Sequence, residues 1–277
     1  HGHRFHRFPF YMDLDTTAGG FSRTDSLIEM PSLTQRFDFF PQLYTSLPLF
    51  QGLKLSPRLA FRETFYSDSL SVAEGDQPQD VSGDNVAREY VELTLDLKGW
   101  GLSRISRESS SGGSWKHLIE PTARYQYRSG IDDFGRILRF DAYDTIPNTH
   151  EVEYGIFNRI FVKRDSEKKV QTWEWLSVKV AQKHFFDPDF DGAFKENSIN
   201  QFSAFSSLTG FHFGGLRRDF SPVTTLARVT PRPGFSVDAR ADYDPDFHRV
   251  RNLGIAGYLS RGSLLLGGSY FRTRELE

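Results

Sequence analysis

The feature that most constrains this chain is apolar–polar alternation sustained over long runs. In residues 90–98, Val91, Leu93, Leu95 and Leu97 alternate with Glu92, Thr94, Asp96 and Lys98. Successive side chains of a strand face opposite sides, so this run has one greasy face and one charged face. Residues 235–244 repeat the rule, with Phe235, Val237, Ala239, Ala241 and Tyr243 against Ser236, Asp238, Arg240, Asp242 and Asp244. Residues 55–66 set Leu59, Phe61 and Phe65 against Arg58, Arg62 and Tyr66. Residues 119–128 set Ala123, Tyr125 and Tyr127 against Arg124, Gln126 and Arg128. Residues 173–183 set Leu176, Val178 and Val180 against Ser177, Lys179 and Lys183. The class is all-β.

Run length narrows the architecture. Strands of soluble sheets span about 5–6 residues, whereas a tilted bilayer-spanning strand needs about 9–11. The runs here predict an antiparallel transmembrane β-barrel; alternation alone leaves a large soluble β-sandwich or barrel open. Strands are expected over residues 9–18, 33–47, 52–66, 88–106, 115–128, 149–163, 170–185, 200–213, 221–230, 234–243, 249–260 and 263–273. Tight connections at 49–52 and 164–169 alternate with long polar segments at 67–87, 129–148 and 186–200. Bacterial barrels show this rhythm, with short periplasmic turns and longer external loops. The last third departs from it, because 231–234, 244–248 and 261–262 are all short. No linker interrupts the rhythm, so one domain is expected over residues 1–277.

Composition removes several alternatives. No run of 18 apolar residues exists, so no transmembrane helix is expected. A net charge of −2 provides no field to gather nucleic acid. Aromatic residues make up 15% of the chain, which suits the aromatic girdles of a barrel. With no cysteine, disulfides and thiolate metal sites are excluded within these 277 residues.

Catalytic signals are sparse. The acidic stretches 132–133 and 187–191 could offer oxygen ligands to calcium, but the second lacks the Gly and Glu spacing of a calcium loop, and solvated loops are the favoured reading. No nucleophile elbow supports a triad built on His117, His150, His184 or His212. No catalytic residue, cofactor or metal ligand is therefore assigned. The cations Arg58, Arg62, Arg124, Arg128, Lys179 and Arg240 fall on the polar faces of their runs, facing the lumen of a barrel. They are candidate contacts for phosphorylated or anionic glycolipid through charge-assisted bonds. The alternative is that they pair with Glu92, Asp96, Asp238 and Asp242 across the interior.

Residues 115–164 carry a more specific signal. His117-Leu118-Ile119-Glu120-Pro121 followed by Tyr125 and Tyr127, then Phe140-Asp141, then Asn158-Arg159, resemble in order and spacing the motifs of the LptD/OstA family. This is the outer-membrane lipopolysaccharide-assembly, or organic solvent tolerance, family. Residues 36–66 and 231–245 resemble two further hairpins of that family. The resemblance implies a non-enzymatic translocon of the bacterial outer membrane that inserts lipopolysaccharide into the outer leaflet. It implies a lipoprotein plug (LptE-like) in the lumen and a periplasmic bridge protein (LptA-like) as partners. The family barrel is expected to have about 26 strands and an upstream periplasmic jellyroll. With about a dozen strands and no jellyroll pattern, this chain is expected to be an internal part of such a barrel.

Overall fold

The computed structural model describes residues 3–4, 10–24, 30–50, 52–72, 79–99, 101–107, 113–166, 169–196 and 216–274. The described residues form fourteen strands in one antiparallel sheet. They are β1 (His3–Arg4), β2 (Phe10–Phe21), β3 (Thr34–Thr45), β4 (Leu47–Pro48), β5 (Lys54–Tyr66), β6 (Val86–Lys98) and β7 (Leu102–Arg107). The remainder are β8 (Ser114–Ser129), β9 (Thr149–Ser166), β10 (Lys169–Phe185), β11 (Val223–Arg232), β12 (Phe235–Asp244), β13 (Arg249–Arg261) and β14 (Leu264–Thr273). Two single 3-10 turns, Phe134–Arg136 and Phe190–Gly192, are the only helical elements among the described residues. None is long and apolar enough to cross a membrane, which says nothing against strands doing so.

The main path runs β1-β2-β3-β5-β6-β8-β9-β10-β11-β12-β13-β14, with β4 on β5 and β7 on β8. Each long strand thus pairs with its neighbours in sequence. Strand lengths reach 18 residues in β9 and 17 in β10, well beyond what a soluble sheet needs. Among the described residues β1 pairs only with β2 and β14 only with β13, so the sheet is an open arc.

The expected strands are found, with two qualifications. The run expected over 88–106 is two strands, because the backbone turns away at Gly99, where φ is 101°. A Cβ there would sit 2.6 Å from the carbonyl oxygen of Gly52, so only glycine fits. β6 and β7 then both pair with β8 on either side of this break. The strand expected over 200–213 lies outside the described residues.

Register aligns one polar face across the sheet. Asp38 opposes Thr64, Thr64 opposes Arg88, Glu92 opposes Arg128 and Arg124 opposes Glu153. Glu153 opposes Lys183, Lys179 opposes Leu226 and Leu226 opposes Arg240. The other face carries Leu14, Phe37, Leu43, Leu59, Phe65, Val91, Tyr127, Ile156 and Ile255, all exposed large apolar side chains. A face of that size, greasy and unburied, is what lipid contact requires. The conventional core is correspondingly small: one cluster joins Phe185, Phe190, Ala193 and Phe194, and another joins Tyr66, Val86 and Ile137. Both sit where the long connections fold back against the ends of the strands.

Candidate functional site

The candidate site is the polar face, built by alternate residues of β2 to β13. All six cations singled out from the sequence lie on it. Arg58 donates to Glu92 and, at 2.9 Å, to Gln42. Arg62 holds Asp38 in a two-pronged pair, Nε and Nη2 each at 2.8 Å, with Thr64 Oγ1 donating to the same carboxylate at 2.6 Å. Arg124 reaches Asp96 at 3.0 Å. Arg128 donates to Glu92 through Nε at 2.8 Å. Lys179 meets Glu153 at 3.2 Å, and Arg240 lies 3.6 Å from Asp242.

The pairing is thus internal, as the alternative reading from the sequence has it, with some partners changed. Asp238 is held by Arg228 (Nη2 to Oδ2, 2.9 Å), a cation outside those six. Glu92, almost fully buried, gathers Arg58, Arg128 and Gln126 at once. Such short, charge-assisted bonds are the strong class of hydrogen bond. They also fill donors that an anionic ligand needs.

The six motif positions divide among three places. Glu120 and Arg159 form an ion pair on the polar face, with Arg159 also over the Phe157 ring at 4.7 Å. Pro121 and Asn158 fall on the opposite parity and so face the apolar side. Phe140 and Asp141 lie in the long connection 130–148. Phe140 stacks on Phe21 with centroids 5.3 Å apart, and Asp141 accepts from Arg36 at 2.7 Å.

That connection folds across the polar face instead of extending away from it. Arg36 Nη1 donates to Asp144 at 2.8 Å, and the Tyr66 hydroxyl donates to the same oxygen at 2.6 Å. Arg88 Nη1 donates to the Tyr143 carbonyl at 2.7 Å, and the Arg62 guanidinium lies 4.5 Å from the Tyr143 ring centroid. Ile131, Ile137 and Leu138 are buried beneath the crossing. Burial alone pushes the Asp141 carboxyl up. The Arg36 hydrogen bond and charge, with the backbone N–H bonds of Tyr143 and Asp144, outweigh that and hold it below the usual carboxylate range.

A second connection covers the next part of the face. Arg218 grips Asp244 with Nη1 at 3.0 Å and Nη2 at 2.8 Å, and Arg251 Nε adds a bond at 2.9 Å. All three side chains are almost wholly buried. In the loop nearby, burial and the facing Asp187 carboxylate push Asp191 above its ordinary value. Toward the other strand ends, β9 to β14 line an open hollow of about 610 Å³, bounded by Phe157, Leu226, Gly254, Ala256 and Phe271 beside Arg240.

Sequence reasoning missed Arg36, Arg88, Asp144, Arg218 and Arg251. Alternation places Arg36 and Arg88 on the polar face, but their partners lie in loops, and Asp144 is 108 residues from Arg36. Among the described residues no group of three or more His, Asp or Glu side chains is placed to hold a metal ion. His212 lies outside the described residues.

A family model described as LptD, LPS transport system D, matches residues 1–276. No curated protein sequence matches the chain. With long antiparallel strands, an apolar outer face and a polar inner one, the chain belongs to the LptD family, an outer-membrane family of lipopolysaccharide transport components.

Proposed function

We propose that this chain is part of the barrel wall of a translocon that inserts lipopolysaccharide into the outer leaflet of the outer membrane, without catalysing a reaction. The observation that carries the reading is the continuous polar face of paired arginines and carboxylates, backed by an unburied apolar face on strands of membrane-spanning length. Residues 1–277 act as one domain of that wall. The long connections face outward and the tight turns face the periplasm. An LptE-like lipoprotein in the lumen and an LptA-like periplasmic bridge are its partners. The six cations contact phosphate as it passes by exchanging carboxylate for phosphate partners, a swap between bonds of one strength class.

The test is depletion of the full-length protein, with surface lipopolysaccharide measured by antibody labelling of intact cells. Surface labelling should fall while total lipopolysaccharide is maintained. Undiminished surface labelling after depletion sinks the proposal.

A further inference from the structure

The connection 130–148 brings two carboxylates onto a bed of wall arginines. Three neighbouring strands supply the bed: Arg36 from β3, Arg62 from β5 and Arg88 from β6, with the Tyr66 hydroxyl beside them. The wall offers one carboxylate in return, Asp38, which Arg62 occupies. Three guanidinium charges against one carboxylate leave the bed at plus two. The crossing segment then contributes Asp141 and Asp144, which Arg36 binds with one Nη each. Asp144 is held from three directions: Arg36, Tyr66, and the backbone N–H groups of Phe140 and Asp141 at 2.8 and 3.1 Å.

Arg88 is the second observation. It is 2% exposed, and Nη1 alone is bonded, to the Tyr143 carbonyl. Its Nε and Nη2 have no hydrogen-bond partner among the described residues. A buried guanidinium with two idle donors is costly unless the site serves an acceptor other than the one in place. Arg36 Nη1 and Tyr66 Oη meet on one Asp144 oxygen, Arg36 Nη2 reaches Asp141, and Arg88, two strands along beneath the same segment, keeps Nε and Nη2 unbonded, so five donors lie under one crossing segment. That number and fork geometry suit a phosphate monoester better than two carboxylates.

We infer that residues 130–148 form a lid whose Asp141 and Asp144 occupy an anion seat on the wall, and that a phosphate-bearing saccharide displaces it by taking Arg36, Arg88 and Tyr66. This deepens the functional reading above and rests on it for the source of the phosphate. The closed lid is then the resting state, held by carboxylates that imitate the ligand.

Gly135 provides a reporter position, because an added Cβ there meets no atom within 4 Å. The full-length protein carrying Gly135→Cys, labelled with an environment-sensitive fluorophore in detergent micelles, is titrated with lipopolysaccharide, with enzymatically dephosphorylated lipopolysaccharide, and with inorganic pyrophosphate. Phosphorylated lipopolysaccharide should shift the emission and the dephosphorylated form should not. Tryptic cleavage after Arg136 and Arg139 should speed up in parallel. Asp141→Asn, a rim substitution compatible with folding, should raise that cleavage about tenfold without ligand, the effect of losing one charge-assisted bond. Arg88→Gln should weaken the response to phosphate.

An unmoved reporter at saturating lipopolysaccharide, or an equal response to the dephosphorylated form, overturns the lid. These readouts do not depend on transport. A pyrophosphate response with normal surface lipopolysaccharide after depletion keeps the lid and removes the translocon. A silent reporter with stranded lipopolysaccharide does the reverse.

Discussion

The two ends of the sheet are built on different principles. At the end bearing the long connections, the polar face is sealed: Asp38, Arg62, Arg88, Asp144, Asp242, Asp244 and Arg251 are all buried. At the end bearing the tight turns, the same face lies open, and the Arg228–Asp238 pair is 60% and 30% exposed. Identical residue types thus do different jobs on one strand. Asp238 and Asp244 share a face of β12 six residues apart, yet one is a solvated surface partner and the other a buried hub. Alternation sets the face; folded-back loops decide whether the charges on it are structural.

The largest expected difference follows from that pair of residues. Asp244→Ala leaves two buried guanidiniums without their carboxylate and should cost about 3–5 kcal/mol. Asp238→Ala should cost less than about 1 kcal/mol, because its partner stays solvated. Urea unfolding of the two variants in detergent micelles, followed by tryptophan fluorescence, makes the comparison. Equal losses would erase the distinction between the ends.

The tight-turn end should instead be sensitive to backbone shape. Gly234 has a φ of 85°, and a Cβ there would lie 2.5 Å from the Ser260 carbonyl oxygen. Gly234→Ala should therefore destabilise by about 1–3 kcal/mol in the same assay, exceeding the charge deletion at Asp238 four residues away. A neutral outcome would mean that the hairpin shifts freely.

A smaller effect separates the two sealing loops. Asp141 is held below the usual carboxylate range, so its stabilisation is complete above that range and is lost as pH falls through its lowered value. Asp191 is raised, so its contribution is complete below the ordinary range and is lost as pH rises through the raised value. On acidification the amides of Gly192, Ala193 and Phe194 should gain hydrogen-exchange protection first. Those of Phe140 and Asp141 should lose it only in stronger acid. Parallel changes in both loops would contradict the opposite signs.

The wall was legible from sequence because a strand's two-residue period writes its faces directly into the order of side chains. Leu59 against Arg62 and Val91 against Glu92 needed no distant information. The motif pair Glu120 and Arg159 was also readable, although only the register of β8 on β9 shows that the two meet. The seal was not legible. Asp141 and Asp144 sit in a segment whose local pattern is that of a solvated loop, and their partners on β3 and β5 lie 78 to 108 residues away. Nothing local distinguishes a loop that extends into water from one that folds over a basic surface. For the same reason, idle donors on Arg88 cannot be inferred from its place in an alternating run.

Neighbour-by-neighbour pairing has a consequence for how such a wall is made. Every main ladder joins strands consecutive along the chain or separated by one short strand, so no ladder waits for a strand far along the sequence. The sheet can be laid down one hairpin after another, with edge bonds satisfied as each strand arrives. The Arg36–Asp144 bond spans 108 residues and must wait until β3, β5, β6 and β8 stand side by side. The sealing carboxylates therefore act as a late checkpoint of assembly: only a completed stretch of wall offers Asp141 and Asp144 their partners.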